Sequence, residues 1–438
     1  MSAAVRIVMF LVLAAAAHAP RRAAACTSGV LKDEQTGGIA VFRTMDFPRL
    51  PFTEVAYVPA GLKVPLVPVD GFSGTSDLGS SYTSKHSYAC VTVVREVVSA
   101  AYRTVFMLSD LPSDSWAPVC VDGINTAGLG LALQWNRNNT LVPGYSGTGP
   151  SVDQVDLANY ILANYATVAE LKAAVGSGKL RSTWNTLMNA GAYIVLGFPH
   201  IPSHYHVNDA TGASLVLQWN PDGAFVALDN PLGVLANHPN LEKQYEHYEW
   251  WTSLVSHPPY SAQPTVSGGV FTPPLGSYNQ SDRFTRIAML RKRAMAATWP
   301  DDLGGLDPLT PGVVPKGAPE TNGALMASMG LLNAIWMPRG IDASSAAHNG
   351  ESDWTIWATI RDHKLKDLYY RVANSPTWHV VHVGAVKWGS LKAIRYAPFK
   401  VNGKWALDAT KGARKKAAWP DTAPPEGTYP LDKDGPGA

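Results

Sequence analysis

The chain has 438 residues, 46% hydrophobic and 16% charged, with 38 glycines and 33 prolines, which is enough apolar material for a large core and excludes disorder over most of its length. Lys plus Arg number 36 against 34 for Asp plus Glu, and no basic run alternates with aromatics, so the electrostatic footprint of a nucleic-acid-binding protein is missing. A neutral or apolar small molecule is the partner this composition favours.

Residues 1–25 read as an export signal that is removed on maturation: Arg6, the apolar run Ile7 to Ala17, then small residues with cut sites after Ala19 and after Ala25. The second cut leaves Cys26 as the first residue. The apolar run is too short to span a bilayer and no later segment is long enough, so the expected product is a secreted or periplasmic protein, or one of a secretory or lysosome-like compartment in a eukaryote. Loss of Arg6, Arg21 and Arg22 leaves 33 positive and 34 negative residues, a balance that implies no particular partner.

Thr27 to Leu31 and Ile39 to Phe42 flank a polar, glycine-containing stretch and predict a hairpin. A long Gly, Ser and Pro-rich loop follows over 60–85, then strands near 89–95, 103–109 and 129–135. From 153 to 175 the apolar spacing turns helical, and Thr167 with Glu170 forms a capping box between two helices. Strands return at 193–196, 214–219 and 224–228. Helices are predicted over 281–296 and 324–336, closing strands over 354–360, 367–372 and 378–383, and a proline-rich tail over 399–438. With no repeat and no composition break, residues 26–398 form one α+β domain in which helices pack on antiparallel sheets.

Three cysteines leave at least one unpaired, and Cys26 is the candidate. Cys90 and Cys120 lie in strand-like runs, and a disulfide and two buried thiols both remain open for them. His200, His204 and His206 crowd one segment without a zinc-ligand spacing and read as a solvated loop leading into the strand at 214. Asn138 and Asn279 head N-x-S/T triplets that matter only in a eukaryotic secretory pathway. Trp135, Trp219 and Trp357 are candidate aromatic walls for an apolar ligand, though most of the 14 tryptophans read as core.

A cysteine that becomes the N-terminus puts a thiol and an α-amino group on one residue, so nucleophile and general base come together. Arg43 and Asp46, at the end of the second strand, fold back beside it, where an arginine favours a thiolate and a carboxylate can orient an amine. The block Asp122-Gly123-Ile124-Asn125-Thr126-Ala127-Gly128-Leu129, the block Asp229-Asn230-Pro231-Leu232-Gly233-Val234-Leu235-Ala236-Asn237-His238-Pro239, and Ser281-Asp282-Arg283-Phe284-Thr285-Arg286 follow in order. With Cys26-Thr27 and Phe42-Arg43-Thr44-Met45-Asp46-Phe47, these four blocks resemble the choloylglycine hydrolases, the bile salt hydrolases and penicillin V acylases among the N-terminal nucleophile hydrolases.

The resemblance implies a four-layer αββα sandwich and a cysteine amidohydrolase that acts on a non-peptide carboxamide through an acyl-thioester, without metal or cofactor. It implies Cys26 as nucleophile and base, Arg43 and Asp46 as the pair that tunes and orients it, and Arg283 as a stabilising partner. Asn237 and the backbone N–H of Trp135 would be the oxyanion donors. Conjugated bile salts, penicillin V and N-acyl homoserine lactones are the substrate classes it implies, and a small hydrophobic acyl amide is the one favoured here, with substrate loops at 60–85, 137–152 and 240–280. Two further readings compete. One is an inactive, Trp-rich binding protein, which would follow if the chain were cut only after Ala19. The other is a ceramidase-like N-acyl amide hydrolase, which also begins Cys-Thr-Ser.

Overall fold

The computed structural model describes residues 26–33, 37–47, 53–66, 81–93, 119–136, 151–183, 203–255, 277–296, 323–339 and 353–399. Within them β1 (Thr27–Lys32) and β2 (Ile39–Phe47) form the expected hairpin, with Thr27 opposite Thr44 and Ser28 opposite Arg43. The remaining strands of the first sheet are β14 (Val234–Ala236), β15 (Trp354–Asp362), β16 (Asp367–Val372) and β17 (His379–His382), in the order β14-β1-β2-β15-β16-β17. The second sheet takes β3 (Thr53–Val58), β6 (Tyr88–Val93), β7 (Cys120–Asn125), β8 (Gly130–Trp135), β11 (Ser203–Asn208), β12 (Ser214–Trp219), β13 (Phe225–Asp229) and β18 (Arg395–Pro398). Its order is β13-β12-β11-β8-β7-β6-β3-β18. Every pairing in both sheets is antiparallel.

Alternation along these strands builds four layers. Phe42, Ala358 and Ile360 of the first sheet pack against Phe284 and Ile287 of α4 (Gln280–Ala296) and Leu325 and Leu332 of α5 (Gly323–Ile335), beside α3 (Leu241–Val255). Leu131, Tyr205 and Leu217 of the second sheet pack against α1 (Gln154–Asn164) and α2 (Val168–Gly176) through Leu157, Ile161 and Leu171. Between the sheets, Val55, Val91 and Ile124 meet Trp357, Leu368 and Tyr370. Each fully buried side chain of this kind contributes about 1.5–3 kcal/mol of transfer free energy. The architecture is therefore the α+β, αββα sandwich expected.

Local chemistry explains the turns. Asn125 accepts from the Ala127 and Leu129 N–H groups and donates to Leu162 O and Tyr165 O, so one side chain closes the β7–β8 turn and ties it to the end of α1. Gly128 in that turn has φ +95°, a conformation that an L side chain resists. At the start of α2, Thr167 Oγ1 accepts from Glu170 N–H and Glu170 reaches back to Ala166 N–H, a capping box displaced by one residue.

Several expectations are corrected. The 60–85 loop contains β4 (Lys63–Pro65) paired with β5 (Ser81–Thr83), and the 137–152 loop ends in β9 (Ser151–Asp153), paired in parallel with β10 (Arg181–Thr183). Residues 241–255, read as substrate loop, are α3, because Leu241, Tyr245 and Tyr248 share a face toward the core. His204 and His206 lie on β11 and are fully buried, not in a solvated loop; they alternate with Tyr205 and Val207, whose apolar side chains hold the strand against α1 and α2. His200, Asn138 and the strands expected at 103–109 and 193–196 lie outside the described residues, as does the tail beyond 399. Cys90 and Cys120 are bridged, leaving Cys26 the free thiol. No helix among the described residues is long and apolar enough to cross a membrane, and no group of three or more His, Cys, Asp or Glu there could hold a metal ion.

Candidate active site

Cys26 sits immediately before β1 and is buried. Strand alternation turns Cys26, Ser28 and Val30 toward the second sheet and Leu31 toward the helices. On β2 the same rule turns Arg43 inward, where its Nη2 lies 3.6 Å from Cys26 Sγ, 3.3 Å from Met45 Sδ and 2.7 Å from Leu133 O of β8. The guanidinium also stacks 4.9 Å from the ring centroid of Trp357, which adds a cation–π attraction and fixes its plane. Burial pushes the Cys26 thiol above its ordinary range, and the Arg43 charge opposes that. The Asp46 carboxylate works against the thiolate, whereas its backbone N–H and Arg283 work for it.

Asp46 projects from the opposite face of β2. Arg283 Nη1 of α4 pairs with its Oδ2 at 2.5 Å, Thr355 Oγ1 of β15 donates to Oδ1 at 2.5 Å, and Thr44 Oγ1 donates to Oδ2 at 3.2 Å. Both ion-pair partners are fully buried, so the pair is worth keeping only with its hydrogen bonds intact. Burial raises the Asp46 pKa and Arg283 opposes the rise.

The antiparallel β1–β14 ladder pairs Thr27 with Ala236, so Cys26 and Asn237 stand at the same end of adjacent strands. Asn237 is buried, and its Oδ1 accepts from the backbone N–H of Trp135 at 3.1 Å. The two expected oxyanion donors are therefore neighbours, with a correction: in the resting chain the Trp135 N–H is engaged by the Asn237 side chain. Trp357 lines the Arg43 side of the site, but Trp219 does not belong to it; its ring packs under the helical layer and donates to Ser182 O.

Sequence reasoning missed Met45, the Leu133 carbonyl, Thr355, Ser28, Gln134 and His206. Met45 and Ser28 were accessible from the period of two, since they share faces with Arg43 and Cys26. Thr355 carries no local signal, because its contact with Asp46 comes from a strand pairing over 309 residues of sequence.

The chain belongs to the choloylglycine hydrolase family of linear amide C–N hydrolases, which matches residues 26–301. It is thus a hydrolase of linear amide bonds. An uncharacterized protein of Paramecium bursaria Chlorella virus 1 is 24% identical over 267 residues, 58% of this chain and 81% of the viral protein. A mutant conjugated bile acid hydrolase from Clostridium perfringens superposes with TM-score 0.61 at 17% identity, over 87% of this chain and 99% of that one. Penicillin V acylase from Agrobacterium tumefaciens gives TM-score 0.59 at 20% identity, over 85% and 90% of the two chains. At these identities the two structures share the fold.

Proposed function

We propose that removal of residues 1–25 frees Cys26 as an N-terminal nucleophile and that the mature protein hydrolyses a small hydrophobic acyl amide of the penicillin V type. The observation that carries this reading is the buried free thiol at the head of β1, 3.6 Å from Arg43 and across a strand ladder from Asn237. The family match beginning at residue 26 supports the same start.

In this mechanism the new α-amino group, with an ordinary pKa of about 7.7–8.0, takes the thiol proton, and Asp46 orients the resulting ammonium. Arg43 supports the thiolate, which burial alone disfavours. The sulfur attacks the carbonyl carbon; Asn237 turns its amide to present Nδ2, and the Trp135 N–H it releases becomes the second donor to the oxyanion. Collapse breaks the C–N bond, and the ammonium gives its proton to the leaving amine. Water then attacks the thioester, losing a proton to the same amino group, and the acid leaves with Cys26 restored as a thiol. The apolar surroundings of the thiol, Met45 and Trp357, suit a hydrophobic acyl group. An export signal together with the Cys90–Cys120 bridge supports an oxidising, exported setting.

The test is the intact mass and N-terminal sequence of the purified protein, with and without a thiol alkylator, followed by assay on penicillin V, acyl homoserine lactones and conjugated bile salts. A chain starting at Cys26 that alkylates there, and whose Cys26→Ala variant loses at least about 10⁴-fold in kcat, supports the proposal. A chain that starts at Pro20 or earlier and stays so sinks it in favour of a binding protein.

A further inference from the structure

The separation of Cys26 and Asn237 depends on three residue pairs, Thr27 with Ala236, Ser28 with Leu235 and Gly29 with Val234. β14 is the edge of its sheet, and a three-residue edge strand has little cooperativity of its own. Its outer side is covered by Gln244 of α3, which accepts from Ala236 N–H at 2.9 Å and donates to Ala236 O at 3.1 Å. The inner side is held through Ser28, the central residue of the ladder.

Ser28 Oγ lies 2.7 Å from His206 Nδ1. The other ring nitrogen, Nε2, faces the Asn208 Nδ2 donor at 3.2 Å, the Asn230 Nδ2 donor at 3.3 Å and the Ser214 hydroxyl at 2.8 Å. A nitrogen facing amide N–H groups is the lone-pair nitrogen, so the ring proton is on Nδ1 and donates to Ser28. Burial and the Arg361 charge keep this ring neutral, which holds the tautomer. Ser28 Oγ receives a second donor from Gln134 Nε2, and its own hydrogen points to Leu235 O at 3.4 Å. Gln134 precedes Trp135, whose N–H meets Asn237; Asn230 opens the turn into β14, with its Oδ1 accepting from Tyr245 and its Nδ2 donating to Val234 O. One buried hydroxyl thus joins the nucleophile strand to the strands that carry both oxyanion donors.

We propose that Ser28 and His206 are positioning residues that hold the oxyanion donors in register with Cys26. The proposal rests on the cysteine amide-hydrolase reading of the site. The clamp touches no substrate; it acts through β1 and β14, and displacement of a positioned donor by about 1 Å is enough to slow a reaction on the order of 10²-fold.

The test compares the mature wild type with Ser28→Ala, His206→Leu and His206→Asn in three measurements. Iodoacetamide alkylation of Cys26, read by intact mass, reports the thiol without using the oxyanion site. p-Nitrophenyl butyrate acylates the thiol: the proton passes to the α-amino group, the S–C bond forms as the carbonyl π pair moves onto the oxygen in the oxyanion position, and collapse of that intermediate expels p-nitrophenolate, whose burst gives the acylation rate. Penicillin V turnover gives kcat and KM. Ser28→Ala and His206→Leu should slow acylation by p-nitrophenyl butyrate by roughly 10- to 30-fold and lower kcat by a similar factor, with KM and the alkylation rate within about 2-fold. His206→Asn, whose side-chain N–H can stand where Nδ1–H stood, should recover most of both. An unchanged acylation rate in His206→Leu, or alkylation that falls in step with acylation, would overturn the clamp. Should His206→Leu not fold, Ser28→Ala, which removes a single oxygen, carries the same comparison. A wild type that is acylated by the ester yet hydrolyses no amide defeats the hydrolase reading, and the ester arm still decides the clamp.

Discussion

The two flanks of this sandwich are built on opposite principles. Under α1 and α2, the second sheet buries Leu131, Leu157, Ile161, Leu171, Leu215 and Leu217 with a cluster of tyrosines, and the Cys90–Cys120 bridge lies in the same layer. Around β1 and β2, by contrast, the chain buries Ser28, Arg43, Asp46, Gln134, His206 and Arg283 completely or almost so. The first region gains transfer free energy from every side chain. The second costs desolvation at every charge, which the hydrogen bonds to Asp46 and Ser28 offset only in part. The difference teaches that stability is concentrated away from the thiol, and that the polar ground around Cys26 is kept for position rather than for cohesion.

Acid should break the comparison most strongly. His204 and His363 are fully buried with pKa values lowered to about 3, and His206 is lowered as well, all by desolvation first. A depressed folded pKa gives stability that is complete above the ordinary value near 6.5 and lost as pH falls toward the folded value. At pH 5 His204 and His363 should each cost about 2 kcal/mol, roughly 4 kcal/mol together, with His206 acting in the same direction. Thermal unfolding between pH 7 and 4 should show this, and His363→Gln should flatten the slope by about one proton. A Tm that holds constant over that range would mean the rings are already solvated.

Next in size is Arg283→Ala, which strands the Asp46 carboxylate in a buried site and should cost about 3–5 kcal/mol by urea unfolding. Asp46→Asn combined with Arg283→Met should recover most of that stability without recovering activity. Such a result would separate cohesion from function at the same pair.

In the apolar region, Cys90→Ala with Cys120→Ala opens a loop of 30 residues and should cost about 3–4 kcal/mol, while kcat at 25 °C stays within about 2-fold. A large loss of kcat there would show that the two regions are coupled. Smallest is Thr167→Ala at the α2 cap, expected to cost about 1 kcal/mol with activity unaltered.

Local pattern carried a good deal of this. The hairpin that returns Arg43 and Asp46 and the Thr167 cap were legible, because each depends on residues within about 20 positions of one another. The three-residue ladder that sets Asn237 beside Cys26 was legible only through resemblance, and β11 was misread because its histidines look polar when counted singly. Their burial follows from alternation with Tyr205 and Val207, which hold the strand against the helices.

By itself, then, the sequence determined the proposed nucleophile Cys26 as a candidate, its near neighbours and the kinds of element that surround it, since strand period and capping chemistry act over one or two turns of chain. Only the tertiary structure decided that Leu133, Trp135, His206, Asn237, Arg283 and Thr355 gather around Cys26 and its neighbours Ser28, Arg43 and Asp46. These contacts span between 90 and 309 residues, and their register comes from how two twisted sheets bury one another, a property of the whole packing that no local window contains.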